Sequence, residues 1–305
     1  MSMSGFCDAN FIERPKRNRS TADHDVRLSL HPDDAGHPPA NPGEQVTSKQ
    51  ADYDVIGRGY NQIRRPDPRI AARIDQALAG ARSVVNIGAG AGSYEPRDRE
   101  VTAVEPSALM IAQRPQGAAP VTQARAESLP FANDSFDAAM AILTVHHWAD
   151  VGAGLSEMCR IARSRVVILT LDAAVTLRTW IVRDYFPEAG EIDLRELPTI
   201  QSLTKRLPGA RVEVLAAPRK CRDGFTIALW DRPELLLDPD IRRCSSVWHH
   251  MSAKATESGL QRLRADLKSG RWDEKYGYLR NERELDIGLR LVMADTLRTP
   301  SAAAA

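Results

Sequence analysis

The chain has 305 residues, 43% of them hydrophobic, which is enough to bury a sizeable core in one large domain. Its 41 basic and 40 acidic residues give a net charge of +1, and this balance gives no reason to expect a nucleic acid or a membrane surface as a partner. No apolar run approaches the roughly 20 residues that span a bilayer.

The cysteines and the N-terminal composition bear on location. Cys7, Cys159, Cys221 and Cys244 are scattered without metal-ligand spacing, which is typical of free thiols in a reducing compartment. The first residues lack the apolar stretch of a signal peptide. We therefore predict a cytoplasmic protein.

Composition divides the chain into three predicted parts. Residues 1–50 are rich in Pro, Asp, Arg, His and Ser without any period, which predicts a disordered N-terminal tail. Residues 51–231 are predicted to form the core, with lid segments that include 53–69. Residues 232–305 are predicted to form a helical extension packed on that core.

The core pattern begins with a helix in RRPDPRIAARIDQALAG, which has Ile70, Ile74 and Leu78 on one face. Short apolar runs then alternate with the helix-like segments ALMIAQR and GAGLSEMCRIAR. The runs are SVVNIG (83–88), VTAVE (101–105), FDAAMAIL (136–143) and RVVILTLD (165–172). Strands buried on both faces of a parallel sheet have this composition, so we predict a doubly wound α/β fold.

Two further apolar runs, RVEVLAAP (211–218) and GFTIALW (224–230), predict an antiparallel hairpin at the sheet edge. The following segments GLQRLRADLKSGRW and ERELDIGLRLVMAD each carry an apolar stripe. We predict that both are helices.

A glycine loop, Gly88-Ala89-Gly90-Ala91-Gly92, follows the first predicted strand. Ligands of open α/β sheets bind beyond the carboxyl ends of the strands, and small residues together with helix N-terminal amides let backbone approach them. Glu105 ends the second predicted strand, where a carboxylate can accept both hydroxyls of a ribose. The glycine loop and Glu105 together predict a ribose-bearing ligand. They do not distinguish NAD from S-adenosylmethionine.

The stretches VVNIGAGAGSY, VEPSALMIAQ and AESLPFANDSFDAAMAILTVHHW resemble the successive motifs of class I S-adenosylmethionine-dependent methyltransferases. The resemblance covers about residues 53–175 and is to the small-molecule branch that includes the ubiquinone/menaquinone-biosynthesis type. It implies a Rossmann-like, seven-stranded sheet with a terminal antiparallel hairpin, and S-adenosyl-L-methionine as cofactor.

The resemblance also implies residue roles. In YNQIR, Tyr60 and Arg64 would hold the methionine carboxylate, a bidentate task that suits a guanidinium. The backbone of Gly88, Ala89 and Gly90 would pack against the cofactor, and Glu105 would bind the ribose hydroxyls. Pro106, Met110 and Ala126 would contact the adenine, and Leu143 would line the floor near the sulfonium.

Three positions depart from the family pattern. Asn86 stands where the family usually has an acidic residue, and Ala89 stands where a cysteine is common. Arg125 stands where an aspartate often accepts the adenine amino group, and arginine has no acceptor. These departures keep open the alternative of a cofactor-binding regulator or a relative that no longer transfers methyl groups.

The segment TVHHWAD follows the fourth strand of the implied fold, where the acceptor would meet the sulfonium. Histidine has a suitable pKa for a general base, so we predict His146 as the base, with Asp172 assisting and His147 as the second candidate. If the segment is extended, the two rings point to opposite sides. A packed corner with both histidines bonded to backbone is the structural alternative.

The rival functions have weaker support. The segment LTVHHW lacks the N/D-P-P-Y/F type motif of base-amino methylation, and the loop lacks the spacing of a dinucleotide fingerprint. A metal site would need a carboxylate cluster, for which Asp172 is the one obvious candidate. We predict a metal-independent methyltransferase, monomeric or homodimeric, that acts on the oxygen or nitrogen of a small molecule. Methylation of a protein remains open.

Overall fold

The computed structural model describes residues 60–296. The predicted tail over 1–50 and the part of the predicted lid that precedes residue 60 lie outside the described residues.

Within residues 60–296, nine strands form two sheets. In chain order they are β1 (Ser83–Ile87), β2 (Glu100–Val104), β3 (Val121–Thr122), β4 (Phe136–Ile142), β5 (Ala162–Leu171), β6 (Arg211–Val214), β7 (Ala217–Pro218), β8 (Glu284–Leu285) and β9 (Leu289–Asp295). The larger sheet has the order β3-β2-β1-β4-β5-β9-β6, and β7 pairs with β8. The first five strands of that order are parallel, whereas β9 is antiparallel to both β5 and β6. This arrangement confirms the predicted fold class.

Helices and tight helical turns connect the strands. The α-helices are α1 (Tyr60–Ile63), α2 (Pro68–Ala77), α3 (Ala108–Ala112), α4 (Val151–Ile161), α5 (Ala173–Thr176), α6 (Pro187–Glu196), α7 (Ile200–Arg206), α8 (Pro239–Arg242), α9 (Val247–His250), α10 (Ala253–Ser269) and α11 (Arg271–Tyr276). The 3₁₀ turns are Val145–His147, Thr226–Leu229, Pro233–Leu237 and Gly277–Asn281, and Ile181–Tyr185 is a π-helical turn.

The sheet is covered by helices on both faces, which explains the nearly continuous apolar runs of its strands. On β5, Val167 faces a cluster that includes Ile74 of α2 and Ile192 of α6. Its neighbour Val166 faces the opposite cluster, which includes Met158 of α4. Because successive strand residues alternate between faces, one apolar run supplies both halves of the core.

The predicted edge hairpin is wrong in its second strand. GFTIALW forms the 3₁₀ turn Thr226–Leu229 in the core instead of a strand. The strand that pairs with β6 is β9, from the segment ERELDIGLRLVMAD that we predicted to be helical. Short buried apolar runs do not distinguish helix from strand by periodicity alone, and pairing on both edges decided for β9.

The inserted strand also changes the interpretation of the C-terminal part. The predicted helical extension over 232–305 contributes β9 to the interior of the sheet, between β5 and β6. The predicted helix in GLQRLRADLKSGRW is confirmed as part of α10 and α11. The carboxyl ends of β1, β2, β4 and β5 meet at one edge of the sheet, since these strands are parallel.

Candidate functional site

The glycine loop that follows β1 is held against the end of β2. The backbone amides of Gly88 and Ala89 both donate to the Val104 carbonyl oxygen, at 2.9 and 3.0 Å. Gly88 has a φ of +70°, and a Cβ there would lie 2.1 Å from Thr144 Oγ1. The segment that follows Gly90 is a series of turns, so the amides at the site belong to the loop itself and not to a helix as we expected.

Glu105 connects the glycine loop to the end of β2. Its side chain is buried, and its carboxylate accepts hydrogen bonds from the amides of Gly90 at 2.8 Å and Ser107 at 3.0 Å. Burial raises the pKa of this carboxyl above its usual value, against the lowering effect of the two amides. A carboxylate has about four lone-pair sites, so two amides leave capacity for ligand hydroxyls.

A cleft with about 1080 Å³ of space lies over the carboxyl ends of β1, β2 and β4. Its walls contain every residue that the sequence predicts at the cofactor: Tyr60, Arg64, Gly88, Ala89, Gly90, Glu105, Pro106, Met110, Ala126 and Leu143. The structure thus brings together residues that are more than 80 positions apart in the sequence. We call this space the first cavity.

Arg64 is the centre of a buried polar network at one end of the first cavity. Its Nη1 donates to the Tyr60 hydroxyl at 2.9 Å, and its Nε donates to the Asp223 carboxylate at 2.5 Å. The Tyr94 hydroxyl donates to the other Asp223 oxygen at 3.1 Å. Burial raises the pKa of Tyr60. Asp223 and Tyr94 were missed by sequence reasoning, because no local spacing links them to Arg64.

A second polar network contacts the glycine loop at Gly90. Arg114 Nη2 donates to both carboxylate oxygens of Glu95, at 2.7 and 2.8 Å, and its Nη1 donates to the Gly90 carbonyl oxygen at 3.3 Å. Asn86, one of the departures from the family pattern, donates from Nδ2 to Glu95 at 3.3 Å. Asn86 Oδ1 is buried without a hydrogen-bond partner in the described part of the chain, and Asn86 lines the first cavity.

The other departures also lie at the first cavity. Ala89 is buried in the loop, and Arg125 is an exposed residue of the cavity rim that forms an isolated bridge with Ser128. The bridge holds the backbone next to Ala126, whose main chain we expect at the adenine edge. The predicted role of Ala126 therefore does not depend on the side chain at position 125.

A second cavity, with about 940 Å³ of space, adjoins the first. The two share Tyr60, Arg64, Leu143 and His147 as walls. Leu143 follows β4 with a φ of +54°, and its amide donates to the Leu169 carbonyl oxygen at 2.7 Å. A left-handed leucine is strained, and such residues cluster at functional sites.

The histidine pair lies where the two cavities meet. His147 lines both cavities and His146 lines the second. The pair is in a 3₁₀ turn and not in extended backbone, so the rings lie close together, with centroids 3.9 Å apart. The opposite orientation, which we expected only for an extended segment, therefore does not apply, because successive residues of a 3₁₀ turn are rotated by about 120°.

Asp172 lies at the end of β5, as predicted, and caps helix α5. Its carboxylate accepts a hydrogen bond from the Ala174 amide at 3.1 Å and lies 3.7 Å from Arg290 Nε. These contacts stabilise the local fold around the start of α5. Assistance by Asp172 to a histidine stays a prediction.

Helix α6 forms one wall of the second cavity. Ala189, Ile192, Asp193 and Glu196 occupy positions i, i+3, i+4 and i+7 and so share one helix face, which lines the cavity. Asp193 accepts a hydrogen bond from Thr176 Oγ1 at 2.7 Å, and burial raises the pKa of this carboxyl to about 6.

The aromatic residues of the segment that follows β5 divide between core and cavity. Trp180 and Tyr185 pack in the core, and Phe186 lines the second cavity. A second histidine pair, His249 and His250, lies at the end of α9. His249 Nε2 lies 3.0 Å from the Arg243 carbonyl oxygen, and His250 Nδ1 lies 3.0 Å from Glu196.

The structure describes residues 60–296, and two absences concern that range. Within that range no group of three or more His, Cys, Asp or Glu side chains is placed to hold a metal ion. No helix in the same range is long and apolar enough to cross a membrane.

Comparisons with known proteins agree with this geometry. A family model described as a methyltransferase domain matches residues 85–170. A solved structure from Anabaena variabilis ATCC 29413, described as a candidate methyltransferase from an antibiotic biosynthesis pathway, is 33% identical. Its TM-score is 0.70, and the match covers 76% of this chain and 99% of that one.

Two other matches are more limited. Phosphoethanolamine N-methyltransferase 2 of Haemonchus contortus, solved with S-adenosyl-L-methionine, is 15% identical with a TM-score of 0.53, over 83% of this chain and 61% of its own. This likeness shows the fold alone. The uncharacterized protein YafE of Escherichia coli K12 is 44% identical over 50 residues, which are 16% of this chain and about a quarter, 24%, of that curated protein.

Proposed function

Because this chain belongs to the class I S-adenosylmethionine-dependent methyltransferases, whose cofactor is S-adenosyl-L-methionine, we propose that it methylates an oxygen or nitrogen of a small molecule. The Anabaena relative is described as part of an antibiotic biosynthesis pathway, and a small-molecule acceptor is consistent with that description. The observation that carries the proposal is the shared wall of the two cavities, formed by Tyr60, Arg64, Leu143 and His147.

The residues of the first cavity fit the cofactor. The buried Glu105 carboxylate retains acceptor capacity for ribose hydroxyls, and the Arg64 guanidinium beside Tyr60 suits a carboxylate. The unsatisfied Oδ1 of Asn86 can accept a hydrogen bond from a ligand ammonium group. Acceptors, a cation and an apolar floor are thus present in one cleft, as an adenosyl amino acid requires.

When bound, S-adenosyl-L-methionine supplies an electrophilic methyl group, whose carbon–sulfur bond breaks as the bond to the acceptor forms, leaving S-adenosylhomocysteine. The protein's own task is to align the acceptor at the wall that the cavities share. The acceptor atom also has to release a proton. His146, which lines the second cavity, is proposed to take it, with His147 as the second candidate and Asp172 assisting.

Isothermal titration with S-adenosylmethionine, S-adenosylhomocysteine and NAD tests the cofactor side of the proposal. We expect the two adenosyl compounds to bind and NAD to give no heat. The Glu105→Ala variant should weaken adenosyl binding by about ten- to a hundredfold, since hydrogen bonds from the ribose to a charged group are lost. Glu100→Ala is the matched control, because Glu100 is exposed at the opposite end of β2.

Transfer of a labelled methyl group to a panel of hydroxyl- and amine-bearing compounds tests the chemical side. Labelled product that depends on Glu105 supports the proposal. Tight binding of S-adenosylmethionine with no transfer to any acceptor would instead favour the cofactor-binding regulator. Equal binding of NAD, or unchanged titration of Glu105→Ala, would contradict the assigned cofactor site.

A further inference from the structure

The charged side chains that line the second cavity do not all have a partner of opposite charge. Of its described lining residues, Arg64, Asp193 and Glu196 carry formal charges. Arg64 is bound to Asp223 at 2.5 Å, and Glu196 lies 3.0 Å from His250 Nδ1. Asp193 has no ion pair within the described part of the chain, and its nearest polar partner there is the Thr176 hydroxyl.

Asp193 is half-buried, and a carboxylate that is partly withdrawn from water and has one neutral hydrogen-bond partner is unfavourable when it is ionised. Burial and, to a smaller extent, the neighbouring Glu196 raise the pKa of Asp193 to about 6, against the lowering effect of the Thr176 hydroxyl. At neutral pH the group is nevertheless mostly ionised. A cation that entered the cavity would relieve this cost, whereas an anion would meet two carboxylates on the face of α6.

Most of the rest of the wall is apolar or aromatic, and its polar members include His146, His147, Ser245 and Ser246. Phe186 and Trp248 meet edge to face with ring centroids 4.8 Å apart, and both line the cavity. Trp248 Nε1 donates to Thr226 Oγ1 at 2.8 Å, which fixes the indole. Val182, Ile192 and Met251 also line the second cavity. Such a wall accommodates a rigid apolar body, and aromatic rings also stabilise a nearby cation.

We propose that the methyl acceptor is an amphipathic molecule whose protonated amine pairs with Asp193 while its apolar body packs against Phe186 and Trp248. The methylated atom is a different one, an oxygen or an unprotonated nitrogen at the wall that the two cavities share, which supplies the electron pair for the new bond and gives up its proton to the base. This inference rests on the proposed function, since it names the occupant of the cavity next to the cofactor. Asp193 is a specificity-determining residue in this scheme. Neither Asp193 nor Glu196 lines the first cavity, so the pairing does not compete with cofactor binding.

Three small probes of similar size separate the charge from the apolar body: phenethylamine, phenethyl alcohol and phenylpropionate. Each is titrated into the full chain saturated with S-adenosylhomocysteine. We expect the amine to bind at least about tenfold more tightly than the alcohol, and the anion to bind most weakly, because one charge-assisted hydrogen bond separates the first two probes.

Asp193→Asn should remove this preference, so that amine and alcohol bind equally, while the affinity for S-adenosylhomocysteine stays unchanged. Glu191→Gln is the matched control, since it removes a negative charge from an exposed position of the same helix and should keep the preference. If Asp193→Asn fails to fold, the probes on the unmodified chain still test the inference, because absence of a preference for the amine overturns it.

The outcomes separate the two proposals. A chain that binds S-adenosylhomocysteine but shows no preference for the amine, or prefers the alcohol or the anion, overturns the inference and leaves the methyltransferase proposal standing. A preference for the amine that survives Asp193→Asn also overturns it. Loss of S-adenosylhomocysteine binding in the unmodified chain would contradict the proposed function itself.

Discussion

The Arg64 guanidinium is bound by Asp223, a buried carboxylate 159 positions away in the sequence, at 2.5 Å. The same carboxylate accepts from the Tyr94 hydroxyl, which in turn accepts from the Asp67 amide at 3.3 Å. Asp67 begins helix α2 as its N-cap. Arg64 is therefore positioned by a network that links three separate parts of the chain, and its orientation toward the first cavity depends on Asp223.

Asp223→Asn should weaken binding of S-adenosylmethionine by about tenfold, because Arg64 loses the charged partner that orients it. Titration calorimetry measures the change. Glu213→Gln is the control: it breaks the Arg73–Glu213 ion pair, whose side chains are 43% and 46% exposed, and should leave affinity unaltered. Unaltered affinity in Asp223→Asn would show that Arg64 is held without it.

His146→Ala should lower kcat by about a hundredfold or more while S-adenosylmethionine affinity stays nearly intact, since His146 lines the second cavity and not the first. His147→Ala should change both quantities, because His147 lines both cavities. His249→Ala, at an exposed position on α9, serves as the control with normal turnover. Unchanged kcat in His146→Ala would place the base elsewhere.

Gly88→Ala and Gly80→Ala separate backbone strain from steric overlap. Both glycines have positive φ, +70° and +86°, but a Cβ at Gly80 meets nothing within 4 Å, while one at Gly88 meets Thr144. Gly80→Ala should cost about 1–2 kcal/mol of unfolding free energy from strain alone. Gly88→Ala should cost about 1–3 kcal/mol more from overlap and should weaken cofactor binding. Urea denaturation compares them, and equal costs would contradict the close approach of Thr144.

Asp193→Asn should stabilise the protein at neutral pH. Burial raises the pKa of Asp193 from 3.8 to about 6, so the native state binds the proton more tightly than the unfolded state does. The stabilisation that this proton provides is complete below about pH 4 and is lost as the pH rises through about 6. The variant should therefore gain up to about 3 kcal/mol over the unmodified chain at pH 7, and little near pH 4.

Asp137→Asn is a control for that experiment, because its change in stability at neutral pH should have the opposite sign. Hydrogen bonds from the Ser83 and Arg82 amides lower the pKa of Asp137 to about 2. Its ionised form therefore stabilises the native state above about pH 4, and this stabilisation is lost as the pH falls through about 2. The variant should be less stable than the unmodified chain at pH 7. Parallel changes in the two variants would contradict the burial of Asp193.

Sequence and structure differ most at β9. The sequence LRLVMAD is a short apolar run with charged neighbours, and both a helix and a strand can bury it. GFTIALW, which has a more strand-like composition, forms a 3₁₀ turn in the core. What decided between them was the pairing of β9 with β5 and β6, a long-range term that local composition does not contain.

The sequence by itself determined the cofactor side of the molecule. The glycine loop and Glu105 were predicted because close backbone approach and a strand-end carboxylate each need particular residue types at fixed local positions. Arg64 was predicted from the resemblance of YNQIR to a family motif. Only the tertiary structure decided the partners Asp223 and Tyr94 and the face of α6 that carries Asp193. Those contacts join segments far apart in the chain, and their energies come from burial and charge pairing that exist only once the segments have met.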